Sequence, residues 1–333
     1  VKTFKLSSII ILTGAFMITN SQASEMAVKI RTLFNIKSSF CDIKTNGVSG
    51  LDNRNSAFRG EGMGISSTNS LLFLENGDNE ISLEIGSLAW FSNENIDENA
   101  RATFSDTASC KIDLVRWDKN IQNNLGSVNV SIDKDGVPRI NSSSTHNISH
   151  EVVMAEQAIS GHIDPKFYNN RYYPNNMKLH RFSLKVNIIG IPKWEWVNAT
   201  PFTGTQGELE GLKKAYSEIA EIINNQDRNK LKINHAIALH AWTRATGSSE
   251  DRILLSQYPR EDLEGGNVKI DPIKWNDYSV RIMNKGRLVQ LYNKSKPIYS
   301  PLTYHSISSE GHKTMGFYAP MFSLINGKFV VVL

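Results

Sequence analysis

Cysteine is scarce in this chain: 333 residues hold two, Cys41 and Cys110. They lack Cys-x-x-Cys spacing, which argues against a dithiol redox enzyme. In an oxidising compartment an even count predicts one structural disulfide between them. Long apolar runs are missing too. Beyond Leu6–Ile18 no run approaches the length of a membrane-spanning helix, so no integral segment is expected after the first 23 residues. Signatures of chemistry are equally thin. His150-Glu151 is not followed by a histidine at the zincin spacing, and Gly60-x-Gly62-x-Gly64 has neither the third-glycine spacing nor the helix of a dinucleotide loop. Gly47-Val-Ser49-Gly50 is not a nucleophile elbow, and Asp133-x-Asp135-Gly136 lacks the glutamate of a calcium loop. His146, His150, His162 and Asp164 come closest to a ligand set, but His146 and His150 sit in a Ser/Asn-rich stretch that reads as loop. No metal, cofactor or catalytic constellation is therefore expected.

What is present begins with an export signal. Lys2 and Lys5 precede the apolar stretch, and Ser21-Gln22-Ala23 places small residues where a signal peptidase cuts, so residues 1–23 are predicted to be removed. Val1 fits a non-AUG bacterial start, and no cysteine lies near the cut to carry a lipid. A periplasmic or secreted protein is expected. With 40% hydrophobic and 21% charged residues it has the composition of a folded chain, and its length favours two domains.

The two parts differ in period. Residues 24–190 alternate in twos: Ile81, Leu83 and Ile85; Cys110, Ile112 and Leu114; Val128, Val130 and Ile132; Leu184, Val186 and Ile188. Asp133-Lys-Asp-Gly136 marks a turn between two such runs. This pattern predicts an antiparallel β-sandwich stapled by Cys41 and Cys110. Residues 191–205 form a connector in which Trp194, Trp196 and Phe202 seek burial between Pro192 and Pro201. From Thr205-x-x-Glu208, a capping box, the apolar residues fall on one helical face through Ile223. Asp227 is predicted to cap a second helix running to about Ala245, with Gly247 ending it, and a short third helix follows from Ser248. Strands return after Pro272. Asn284-Lys285-Gly286 and Asn326-Gly327 mark two hairpins. The whole is α+β, with the smaller α+β domain at 206–333.

That order of a long capped helix, further helices and a sheet ending Tyr318–Val332 resembles the NTF2-like superfamily over about two fifths of the chain. The resemblance rests on element order. It implies a curved sheet around a cone-shaped cavity, for which Tyr216, His240, Trp242 and Trp275 are candidate lining residues. A hydrolase using such a cavity would draw on His240, Asp277 and Tyr278, which no spacing ties together. The superfamily also includes toxin-immunity proteins, so fold alone does not decide function.

Charge adds a surface. Residues 271–333 hold eight Lys and Arg against three Asp and Glu. On the hairpin, Val280 and Ile282 alternate with Ser279, Arg281 and Met283. If the apolar face lines the interior, Arg281 and Lys285 project outward and Arg287 reaches solvent beside the turn. These three are the candidate contacts to an acidic protein partner, either a toxin or an envelope protein. The compartment disfavours nucleic acid. The sequence thus favours an exported, non-catalytic binding protein, most concretely an immunity protein that neutralises an antibacterial toxin. An envelope hydrolase and a surface adhesin or pilus-associated subunit are the alternatives.

Overall fold

A computed structural model describes residues 28–118, 121–157, 173–260, 268–307 and 313–333. The expected export signal lies outside the described residues. The first half is built from β1 (Lys29–Lys37), β2 (Phe40–Thr45), β3 (Val48–Asp52), the short helix α1 (Arg54–Phe58), β4 (Gly64–Asn69), β5 (Gly77–Gly86), α2 (Glu98–Arg101), β6 (Ser109–Asp118), β7 (Ile121–Ile132), β8 (Pro138–Ile140), β9 (Ile148–Met154) and β10 (Lys178–Ile188). They form two five-stranded antiparallel sheets, ordered β4-β1-β6-β7-β8 and β3-β2-β5-β10-β9. The alternating residues read from sequence are the reason. Ile30, Phe34, Ile112, Leu114 and Val128 of the first sheet share one core with Ile43, Ile81, Leu83, Phe182 and Leu184 of the second. The disulfide joins Cys41 on β2 to Cys110 on β6, one strand from each sheet. Non-reducing proteolysis and mass mapping should therefore release a cross-linked peptide pair holding both cysteines. Two freely alkylated thiols in oxidised material would contradict it.

The second half contains α3 (Gln206–Asn224), α4 (Arg228–Asn234), α5 (Ala236–Thr246), α6 (Glu250–Gln257), β11 (Lys269–Ile270), β12 (Tyr278–Met283), β13 (Leu288–Asn293), β14 (Leu302–Ile307), β15 (Lys313–Tyr318), β16 (Phe322–Ile325) and β17 (Lys328–Val331). Its strands make a sheet β12-β13-β16-β17 and a smaller one β11-β14-β15. The whole chain is α+β. Both arms of the capping box at Thr205 and Glu208 are formed, and α3 lays Leu212, Tyr216, Ile219 and Ile223 on the core. Gly247 ends α5 in the left-handed conformation, at φ 73°.

Two local readings change. The single helix expected from Asp227 to Ala245 is two, bent at His235, where φ is −95° and ψ 10°. There the imidazole Nδ1–H donates back to the Leu231 carbonyl (3.1 Å), and Nε2 accepts from the Tyr258 hydroxyl (2.8 Å). On β12, Ile282 is exposed and Met283 buried, because Met283 packs into the core of the first half.

That core does not stop at the connector. Besides Trp194 and Trp196 it takes in Ala241, Ala245, Leu288 and Val332. The two indole N–H groups donate to the Leu71 and Leu72 carbonyls at 2.9 and 3.0 Å. Asn284 N–H donates to the Asn46 carbonyl at 3.0 Å. Burial that the aromatics alone required is thus reinforced by hydrogen bonds that fix the second half against the first.

Candidate functional site

In the sheet β3-β2-β5-β10-β9, one face is the core and the other is ionic. Register alone lines up Asp52, Asp42, Glu84, Arg181 and Glu151 in one row across all five strands. The next row on that face is Ser49, Lys44, Ser82, Ser183 and Ser149. An antiparallel sheet usually turns such a face to water. Here the face forms the floor of a cleft of about 540 Å³, walled on the far side by Arg281, Ile282, Gln290, Pro297 and Met321 of the second half.

Burial makes the pairing in this row necessary, since an unpaired ion there would lose its hydration without return. Asp42 and Glu84 are both buried. Lys44 Nζ lies 2.8 Å from Glu84 Oε2 and 3.3 Å from Asp42 Oδ2. Arg181 spans Glu84 (2.6 Å) and Glu151 (2.9 Å). Ser49 Oγ donates to Asp42 Oδ1 at 2.6 Å. Arg54 clasps Asp52 with two nitrogens, each at 2.9 Å, and stacks over the Tyr173 ring at 4.3 Å. Its Nη1 is buried without a partner among the described residues. Burial pushes the Asp42 carboxyl up to about 6, against the pull of Lys44. The rim is apolar, with Met154 and Ile282 exposed at its edge.

The hairpin cations occupy different places from those expected. Arg281 forms a two-pronged pair with Glu156 (2.6 and 3.2 Å), donates to Gln290 Oε1 (3.0 Å) and lies over Tyr292. Arg287 is 12% exposed rather than solvent-reaching. It grips Glu75, itself 13% exposed, at 2.5 and 2.8 Å, above the Trp196 ring. Lys285 is 66% exposed, with Nζ 3.5 Å from the same Glu75. Carboxylates of the first half already hold all three. Charge counting could not show this, because Glu75 and Glu156 are more than a hundred residues away in sequence.

The candidate cavity residues do not converge. Tyr216 is buried in the core, where its hydroxyl accepts from Leu291 N–H (2.9 Å). His240 is exposed on α5. Trp242 lines a small aromatic cavity with His235 and Tyr258, and Trp275 borders a separate groove with Asp271 and His305. Asp277 and Tyr278 share a pocket of about 190 Å³, and the histidine there is His305, paired to Asp271 at 2.7 Å.

His150 lies on β9 rather than in a loop. Its Nε2 is 3.0 Å from Nδ1 of His180, and its ring stacks on Phe182. His162 and Asp164 fall outside the described residues. Among the described residues no group of three or more His, Cys, Asp or Glu is placed to hold a metal ion. No helix among them is long and apolar enough to cross a membrane.

The cleft residues carried a signal that composition hides. Asp42 and Lys44 alternate with Cys41 and Ile43, and Ser82 and Glu84 alternate with the apolar residues of β5, so the ionic face was readable strand by strand. Its burial by a distant hairpin was not. Comparison of the chain with family models, with curated proteins and with solved structures yields no match.

Proposed function

We propose that this chain is an exported, non-catalytic binding protein whose partner docks over the ionic cleft, and that its most concrete form is a periplasmic immunity protein. The observation that carries the reading is the five-strand ionic row under an apolar rim. Its charges are mutually paired, so a partner would meet a neutralised polar floor and gain most of its binding at the apolar rim. The Cys41–Cys110 disulfide supports an oxidising compartment. In the same reading the paired five-stranded sheets are a β-sandwich. Residues 206–333 are an NTF2-like domain, a reading supported by the capped α3 lying against the β12-β13-β16-β17 sheet.

The test uses the exposed rim. Met154→Arg with Ile282→Arg should weaken partner binding by about tenfold or more while leaving the melting temperature unchanged. For the immunity form, wild-type chain in the periplasm should protect cells from a secreted toxin encoded beside its gene, and the double variant should not. Equal protection by both would remove the cleft from the interface. Failure of the wild type to bind any envelope or toxin protein would remove the binding reading itself.

One geometry favours a second reading, an envelope hydrolase sited in this cleft rather than in the C-terminal domain. Ser49 donates to a carboxylate of raised pKa, a weak form of nucleophile and base. Both oxygens of Asp42 are nonetheless engaged, by Ser49 and Lys44. Ser49→Ala separates the readings, since it would abolish hydrolysis and spare binding.

A further inference from the structure

The sheet β12-β13-β16-β17 ends at β17, and among the described residues no strand pairs with the far side of β17. The direction of its backbone groups follows from its neighbours. Asn326 and Gly327, at φ 50° and 75°, make a two-residue turn, so pairing starts with Ile325 opposite Lys328 and alternates from there. The Leu324 carbonyl is turned away from β17, since it accepts from Thr200 N–H at 2.8 Å. Val332 N–H donates to the Met321 carbonyl at 2.9 Å, which fixes the same alternation at the other end. Leu324–Phe329 and Phe322–Val331 are therefore the wide pairs. Phe329 and Val331 direct both their N–H and C=O groups to the open side, where none of these groups is hydrogen-bonded among the described residues.

Beside that edge runs a groove of about 690 Å³, closed on its other side by α3. The helix wall is low because Gly207, Gly211 and Ala215 line it at helical spacing. The Phe329 ring already lies against Gly211, where an added Cβ would sit 3.3 Å from it, so the open part of the wall is at Gly207. A Cβ at Gly207 would meet nothing within 4 Å, so there is open space above it. Asn234 also lines the groove, and its amide oxygen is buried without a partner among the described residues.

We propose that this groove binds an extended segment of a partner protein, which adds a fifth strand to the sheet alongside β17. Donor and acceptor pairs recurring every second residue match a polypeptide backbone. A lipid tail or compact apolar ligand would fill the volume and leave those groups unpaired. One set of the segment's side chains would point to the small residues of α3 and be apolar and compact, and the other set would face outward. The groove is separate from the ionic cleft, with which it shares no lining residue.

The experiment pans a displayed library of random peptides about seven residues long on the full chain, with Gly207→Leu as the blocked control. Leucine at 207 enters open space and improves helix propensity, so this variant should fold. Peptides with apolar residues at alternate positions should be enriched on the wild type and bind the variant about tenfold or more weakly. The best peptide should slow amide exchange at Phe329 and Val331 by about tenfold or more, and its N-methylated form should not. A second variant, Phe329→Pro, removes one outward N–H without touching the β16 ladder and should weaken the same peptide. No enrichment, or enrichment indifferent to Gly207→Leu, would overturn the proposal. Protection of Phe329 and Val331 that rises with protein concentration without peptide would overturn it in favour of self-association.

Discussion

Replacing Arg287 by alanine is expected to destabilise the chain by about 3 kcal/mol, the largest loss expected from any single surface-hairpin residue. The size follows from what the guanidinium touches. It holds both oxygens of Glu75, accepts the Trp196 ring beneath it, and donates to the Asn284 side chain (2.9 Å) and to the Val197 carbonyl (3.3 Å). Glu75 belongs to the first half and Arg287 to the second, so the pair fastens the two together. Removing arginine strands a carboxylate that is largely out of water and held below its usual range chiefly by that hydrogen bond. Lys285 can compensate only in part, at 3.5 Å and mostly exposed. Glu75→Gln should cost less, because the amide still accepts one bond. Arg287→Met with Glu75→Leu should recover much of the loss, since removing both ions also removes their desolvation. Urea midpoints for the four proteins decide it. A loss below about 1 kcal/mol for Arg287→Ala would mean the pair behaves as an ordinary surface contact.

The same residue shows how far sequence reasoning reached. Periodicity located the strands Gly77–Gly86, Ser109–Asp118 and Lys178–Ile188, the capped α3 and the Asn326-Gly327 hairpin, because each depends on neighbours within a few residues. The disulfide followed from a count of two. Arg281 and Arg287 look like outward cations because their own hairpin says only that they alternate with apolar residues. What pairs with them is decided by Glu156 and Glu75, brought near by the folding of the whole chain. The cleft is hidden in the sequence for the same reason. Asp42 and Glu84 look like solvated strand residues until the second half covers them. The bend at His235 has no local signal, because it needs Tyr258, some twenty residues later, to hold the ring.

The pH dependence of stability should separate two buried groups that act in opposite directions. Burial lowers His235 from 6.5 to about 4, and its ring accepts the Tyr258 hydroxyl as a neutral base. Between those values the unfolded chain binds a proton that the folded chain refuses. Stability supplied by neutral His235 is therefore complete above 6.5 and is lost as pH falls toward 4. Burial raises Asp42 from 3.8 to about 6. Between those values the folded chain binds the proton and the unfolded chain does not, so this contribution grows as pH falls from 6 and is complete below 3.8. Each shift corresponds to about 3 kcal/mol at its limit, and across pH 6 to 4 the two nearly cancel. Asp42→Asn removes the compensation. Relative to wild type it should lose about 3 kcal/mol between pH 6.5 and 4, while His235→Gln should gain a similar amount over the same interval. Urea unfolding at pH 7, 5 and 4, compared as differences from wild type, removes the shared titration of the exposed carboxylates. Profiles for both variants that run parallel to wild type would show that neither group changes its proton affinity on folding, and would remove Asp42 as a titrating element of the cleft.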